Sequence, residues 1–278
     1  LDVFEKSFAK LIGSKYAVGV NSGTDAIKLS LKTLGVGYGD EVIVSPYTMT
    51  ACAMAPLLFG AIPVFSDVEK ETGCMDVKSI ERALSNRTKA ILVVHQFGIP
   101  ADMDKIMELA KQHDLKVIED CAQAHGAKYN NKYVGTFGAI GVFSLNVNKS
   151  IQTGEGGICI TDDEELAYRL ALIRNHGEAV VGPAKYENVV NIFGFNFRLT
   201  ELQAAIAREQ LKKTNKLNDH RLDLVEAFSR GLDNHPFLHP LSGRPGCYST
   251  YYVYPLRYES GIARVEREEF VAALNAEG

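Results

Sequence analysis

Lys149 stands in the stretch Phe143 to Gly157, FSLNVNKSIQTGEGG, where an apolar run ends in a serine, a single lysine follows five residues later, and a glycine-rich turn comes next. An ordinary surface lysine sits among polar helix formers. Lys149 instead follows the run Ile140 to Leu145, which reads as a buried strand. It precedes GEGG, where the backbone can bend sharply or approach a ligand closely. A lysine so placed suits a covalent imine with a carbonyl compound. Read alone, the stretch is equally a strand, a loop lysine and a turn.

A second chemical group lies upstream in KVIEDCAQAHGA, Lys116 to Ala127. Val117 and Ile118 read as the end of a buried strand, and Glu119, Asp120, Gln123 and His125 follow at once. Acidic residues at the carboxyl end of a parallel strand face the ligand crevice of α/β proteins. Asp120 alone is as readily a turn or cap residue, but it gains meaning beside Lys149. Pyridoxal phosphate needs a lysine for its Schiff base and a carboxylate to keep its pyridine nitrogen protonated, so that the ring can serve as an electron sink.

The third element is YAVGVNSGTDAIKLSLKTLG, in which an apolar strand, Tyr16 to Val20, runs through Asn21, Ser22 and Gly23 into a helical pattern starting near Thr24. The free amides of such a helix start bind phosphate well. An ordinary N-cap by Ser22 or Thr24, with Gly23 easing the turn, accounts for the same residues and is compatible with a phosphate site.

With these three segments in place, the chain resembles the DegT/DnrJ/EryC1/StrS pyridoxal-phosphate enzymes, sugar aminotransferases of the aspartate aminotransferase fold. The likeness runs from FEKSFAKLIGSKYAVGVNSGTDAI through HQFGIPADMDKI, VIEDCAQAHGA, FSLNVNKSIQTGEGG and RNHG to GFNFRLTELQAAIAREQL. It implies Lys149 as the imine lysine, Asp120 as partner of the pyridine nitrogen and Gln123 beside the ring hydroxyl. It also implies a phosphate held by Gly23, Thr24 and Ser144. Asn196, in GFNFRLT, matches the asparagine that in this family reaches the phosphate of the neighbouring subunit, so a homodimer with shared sites is expected. Where the family often places an aromatic residue over the ring, SPYTMTACA offers Met49 as the ring neighbour, with Tyr47 on the substrate side.

The resemblance further implies an amino donor, glutamate, and a keto sugar attached to a nucleotide as acceptor. Some relatives are dehydratases that have replaced the lysine, often by histidine; Lys149 therefore argues for transamination without excluding elimination. A regulatory protein that binds the cofactor without turnover would not need Lys149 and Asp120 together. A dinucleotide-binding oxidoreductase is weaker still, because no GxGxxG follows an early strand.

Composition fits a globular enzyme: 46% of residues are hydrophobic and 23% charged. A formal net charge of -4, with no long basic block, gives no electrostatic case for nucleic acid. The apolar stretches are strand-sized, which argues against a membrane span. Five scattered cysteines without a CxxC pair suggest neither zinc nor a disulfide framework, and a reducing cytoplasm is the simplest setting. Cys121, beside Asp120, reads as a small packing residue. His95, His125 and His176 could each approach the crevice, yet none forms a metal-ligand spacing. His125 is the one expected near the cofactor ring.

Short apolar runs, EVIVSP, AIPVFSDV, AILVVHQFG and IGVFSLN, alternate with helical patterns such as DVKSIERALSN and DMDKIMELAKQHD. That alternation predicts an α/β protein whose large domain has three layers, α/β/α, around a mainly parallel sheet. The segment Leu199 to Leu232 reads as one long helix, and YYVYPLRYE as a strand. The expected division is a cofactor-binding large domain over residues 1–215 and the start of a small α+β domain over residues 216–278. The remaining residues are too few for an independent core, so the small domain reads as either incomplete or simply reduced. The abrupt LDVFEKSF start reads the same way.

Overall fold

The computed structural model describes residues 1–178 and 192–278. Its centre is a seven-stranded sheet. The strands in chain order are β1 (Tyr16–Val20), β2 (Glu41–Val44), β3 (Ile62–Phe65), β4 (Thr88–Val94) and β5 (Lys116–Asp120), a small hairpin of β6 (Lys128–Tyr129) and β7 (Lys132–Tyr133), then β8 (Ile140–Ser144) and β9 (Gly157–Thr161). Across the sheet the order is β1-β9-β8-β5-β4-β2-β3. Only β9 runs against its neighbours; β8, β5, β4, β2 and β3 pair in parallel, and β1 shares their direction because it too opposes β9. The carboxyl ends of β1, β2, β4, β5 and β8 therefore open on one edge.

The helices in chain order are α1 (Asp2–Ile12), α2 (Gly23–Thr33), α3 (Ala51–Leu57), α4 (Val77–Ala83), α5 (Met103–Gln112), α6 (Glu164–Arg174), α7 (Glu201–Leu211) and α8 (Thr214–Gly231). Strand β4 shows why they must cover both faces. Its alternate side chains Ala90, Leu92 and Val94 join one buried cluster, and Ile91 and Val93 join another. A strand buried on both sides reads as a continuous apolar run, as this one does. Phe4 and Phe8 of α1, Ile80 of α4, Ile106 of α5 and Ala204 of α7 close one side. Ile27 of α2, Cys52 and Ala55 of α3, and Leu170 of α6 close the other. The three-layer architecture agrees with the alternation in the sequence.

Two local expectations are corrected. The segment Leu199 to Leu232 is two helices, α7 and α8, because the ladder breaks at Lys212 and Lys213. There the amide of Lys213 reaches back only to the carbonyl of Gln210, at 3.0 Å, and the buried Thr214 hydroxyl donates to that same carbonyl at 3.4 Å. A threonine that bonds its own helix in this way bends or interrupts it. Beyond α8 come β10 (Leu238–Pro240), β11 (Cys247–Tyr248) and β12 (Leu256–Tyr258), followed by α9 (Ser260–Ala263) and α10 (Arg267–Glu277). The strand expected over YYVYPLRYE is thus only Leu256–Tyr258. Before it, Tyr251 adopts φ 44°, a left-handed conformation that no strand accommodates.

The C-terminal part is laid against the sheet layers at several points. Strand β10 pairs antiparallel with β12, while β11 pairs with β6. Arg244 forms ion pairs with Glu69 and, at 3.7 Å, with Asp102. Asn218 of α8 donates to the carbonyl of His125 at 2.9 Å. These contacts carry the segment Leu241 to Pro255 across the open edge of the sheet.

Candidate active site

Strand β1 ends at Val20, and α2 begins three residues later. Ser22 caps it, its hydroxyl accepting from the amide of Asp25 at 3.0 Å. Intrahelical pairing starts with Ala26, so the amides of Gly23 and Thr24 lie outside the ladder at the positive end of the helix dipole. Two glycines let this end meet β8 and β9. A Cβ on Gly23 would come within 2.7 Å of the Ser144 Cβ, and one on Gly157 within 2.4 Å of the Ser22 carbonyl oxygen. The result is a small cradle in which two amides without a partner among the described residues stand beside a serine hydroxyl, a geometry suited to a phosphate.

Asp120 closes β5 and is 5% exposed. Its Oδ1 accepts from the amide of Ala122 at 2.9 Å and its Oδ2 from the thiol of Cys52 at 3.2 Å. Burial, and then the negative charge of Asp120, push the Cys52 thiol well above its ordinary range, so it stays a protonated donor. Gln123 follows in the turn, its side-chain oxygen accepting from the amide of Phe97 at 2.8 Å.

Glu119 departs from the sequence expectation that both acids face the crevice. Neighbouring residues of a strand point to opposite faces, and Glu119 is fully buried on the far side. Its oxygens accept from the amides of Gly135, Phe137 and Gly138, each at 2.7 Å, and bond His95 Nε2 at 3.0 Å. The other ring nitrogen of His95, Nδ1, accepts from the amide of Ala101 at 3.1 Å, which makes Nε2 the protonated donor. His95, Glu119 and Cys121 lie close enough to suggest a metal site. The carboxylate and both imidazole nitrogens are already engaged, so the cluster is a structural knot. Cys121 is fully buried within the core, where burial pushes its thiol well up.

Lys149 reaches the same cleft from the loop after β8. Burial lowers its ammonium below the usual lysine value, against the opposing pull of the Asp120 charge. Its Nζ lies 4.5 Å from the centroid of the Tyr252 ring. The cleft, ≈ 470 Å³, is lined by Gly23, Thr24, Met49, Asp120, Gln123, Ser144 and Lys149 among others. Seven of the eight site residues read from the sequence thus meet in one place. The eighth, Asn196, is not among the cleft residues of its own chain. It lies exposed, in an isolated bridge with Asn175.

Other expectations fare differently. Met49 lines the cleft and is 69% exposed, whereas Tyr47 packs edge-on against Phe97 at 5.6 Å and is not among the cleft residues. His125 lies beneath the site rather than in it. It is buried against Phe143 at 5.5 Å, and burial, with the Lys149 charge adding to it, pushes its pKa down to about 3. It is neutral at any working pH. Thr48, Asn146, Asn148, Glu155 and Tyr252 also line the cleft. The first four sit inside motifs already singled out, and the cluster of tyrosines ending at Pro255 was the available signal for Tyr252.

A helix-end cradle, a buried carboxylate and a lysine meet on the carboxyl edge of this sheet, a set that fits pyridoxal phosphate, and the fold is that of the fold-type I pyridoxal-phosphate-dependent aminotransferases. The chain belongs to the DegT/DnrJ/EryC1/StrS aminotransferase family, whose sequence model matches residues 1–278. It is 38% identical over 269 residues to GDP-perosamine synthase of Escherichia coli O157:H7, an alignment covering 97% of this chain and 72% of that protein. The solved structure of S. venezuelae DesV in complex with a ketimine intermediate matches with a TM-score of 0.91 and 36% identity, covering 100% of this chain and 72% of that one. E coli GDP-4-keto-6-deoxy-D-mannose-3-dehydratase with bound hydrated PLP matches with a TM-score of 0.91 and 32% identity, covering 100% and 75%. Among the described residues, no helix is long and apolar enough to cross a membrane.

Proposed function

We propose that this enzyme moves an amino group from glutamate to a keto sugar carried on a nucleotide. The observation that carries this reading is the presence of Lys149 and Asp120 in one cleft, at the end of which lie the free amides of α2. Pyridoxal phosphate, when bound, supplies an electron sink for charge developing beside the transferred nitrogen. The amides of Gly23 and Thr24 and the hydroxyl of Ser144 hold the phosphate. Asp120, fixed by the Ala122 amide and the Cys52 thiol, keeps the ring nitrogen protonated. Gln123 would meet the ring hydroxyl, and Met49, which lines the same cleft, would supply an apolar contact to the ring. Lys149 would be the residue that holds the cofactor covalently between turnovers. Once released, its amine carries a proton from the donor's α-carbon and later returns one to the sugar carbon.

Retention of lysine at position 149 favours transamination over the elimination that a dehydratase performs. The test is a visible absorption spectrum of the purified, cofactor-loaded protein before and after addition of glutamate, with glutamine in parallel. Glutamate is expected to convert the lysine-linked cofactor band to that of the amine form, and a nucleotide-linked keto sugar to restore it. A band that neither donor changes would overturn the transaminase reading. Conversion by glutamine alone would overturn the choice of glutamate.

We further propose that the active form is a homodimer in which each cofactor site receives Asn196 from the opposite chain. Asn196 is exposed and absent from the cleft of its own subunit. Nearby, on α7, Leu202 and Ile206 are 81% and 47% exposed, an apolar stripe one turn in length that a second copy would cover. Mixing Lys149→Ala chains with Asn196→Ala chains is expected to restore part of the activity. In the mixed dimer one site carries both lesions and the other neither. No recovery despite verified subunit exchange would return Asn196 to a role within its own loop.

A further inference from the structure

Tyr252 belongs to no regular element, yet the chain goes to some length to place it. Its amide donates to the carbonyl of Phe97 at 2.8 Å, and the amide of Thr250 donates to the carbonyl of Gly98 at 2.9 Å. Arg221 of α8 holds the carbonyl of Thr250 at 3.1 Å. The turn that receives this segment is itself tied to the site, because the Phe97 amide donates to Gln123. Two residues at the junction are left-handed without being glycine: Phe97 has φ 56° and Tyr251, between the two donors, φ 44°. Such conformations persist where the surroundings over-determine them, and they cluster at working sites.

The product of this arrangement is a ring turned into the cleft 4.5 Å from the amine of Lys149. Among the described residues Nζ makes no hydrogen bond and no ion pair, and Asp120 acts on it through space. A cation held over an aromatic face is attracted by the ring quadrupole, more strongly where water is excluded.

We propose that Tyr252 is a positioning residue for Lys149: its ring face is the resting place of the lysine amine whenever Nζ carries no covalent bond. The proposal rests on the reading of Lys149 as the reacting lysine. During turnover the released amine has to remain within reach of the substrate carbon, on one side of the cleft, and not swing toward solvent on its long stem. An aromatic face suits this task. It favours the amine once that amine has taken up the substrate proton, and it does so without a directional bond that would have to break.

The contact can be read without activity. In cofactor-free protein grown with ¹³C-lysine, the side-chain resonances of Lys149, assigned by their loss in Lys149→Ala, are expected to be displaced upfield by the ring current of Tyr252. Tyr252→Phe keeps the ring and is expected to keep the displacement and to recover most of the turnover that Tyr252→Leu loses. Tyr252→Leu should abolish the displacement and lower kcat by about 5- to 30-fold with little change in KM for the amino donor. Should leucine disturb the segment, as shown by a lowered melting temperature, Tyr252→Met repeats the test with an unbranched side chain. An undisplaced Lys149 signal in the parent, or Tyr252→Leu protein with full kcat, overturns the proposal. Failure of the lysine assignment would show differently, as turnover retained in Lys149→Ala.

Discussion

Lys149→Ala protein is expected to lose turnover by about 10⁴-fold or more while still taking up pyridoxal phosphate. The loss combines two functions of one amine, the covalent link and the proton transfer, and general acid–base catalysis alone contributes roughly 10²- to 10⁴-fold. Binding persists because the phosphate cradle of Gly23, Thr24 and Ser144 is built from other elements. The measurement is a titration of the variant with cofactor followed by absorbance, beside a single-turnover assay with glutamate. Retained turnover would remove Lys149 from the mechanism. The pH dependence carries a sign as well. Burial lowers the pKa of Lys149, so the cofactor-free enzyme presents a neutral, nucleophilic amine at lower pH than an exposed lysine would. The rate of covalent cofactor attachment should therefore rise as pH climbs through that depressed value and level off before the ordinary lysine range.

Glu119→Gln is expected to destabilise the fold by about 3–5 kcal/mol, although Glu119 lies outside the cleft. Its carboxylate accepts from three backbone amides and from His95, and bonds to a charged group each contribute about 1.5–3 kcal/mol. Glutamine offers one acceptor oxygen. Its amide nitrogen would face donors, leaving buried N–H groups unpaired where no water replaces the carboxylate oxygen. Thermal unfolding followed by circular dichroism should show a fall in Tm on the order of 10 °C. A Tm within about 2 °C of the parent would mean that the loop Gly135–Gly138 does not depend on this group.

Strands β2, β4 and β8 were legible because they are buried on both faces, and AILVVHQFG could hardly be anything else. The cleft residues were legible for a related reason. Asp120 ends a strand and Gly23 opens a helix, so local pattern marked both, and the apolar run before Lys149 with the GEGG turn after it marked the lysine; the role of Ser144 came from the family resemblance. Glu119 was misplaced because the crevice rule for acidic residues was applied without the alternation that turns adjacent side chains apart. The break between α7 and α8 was invisible, since it depends on one threonine hydroxyl in a window otherwise rich in helix formers. Tyr252 was missed for a deeper reason. Its position comes from pairing with a turn more than 150 residues earlier, and no periodicity within YYVYPLRYE records that partner.

The direct pairing of β5 with β8, in which Asp120 stands opposite Val142 two residues before Ser144, acts as a gauge. The acid and the serine hang from adjacent strands whose spacing is about 4.8 Å and whose rise is about 3.3 Å per residue, so their separation is set by main-chain geometry and not by any loop. Met49, Asn146, Asn148 and Tyr252 enjoy no such constraint. Divergence within this scaffold is therefore channelled: insertions and exchanges in the loops can remodel what the cleft admits, whereas a single residue added to either strand would throw the acid out of step with the serine.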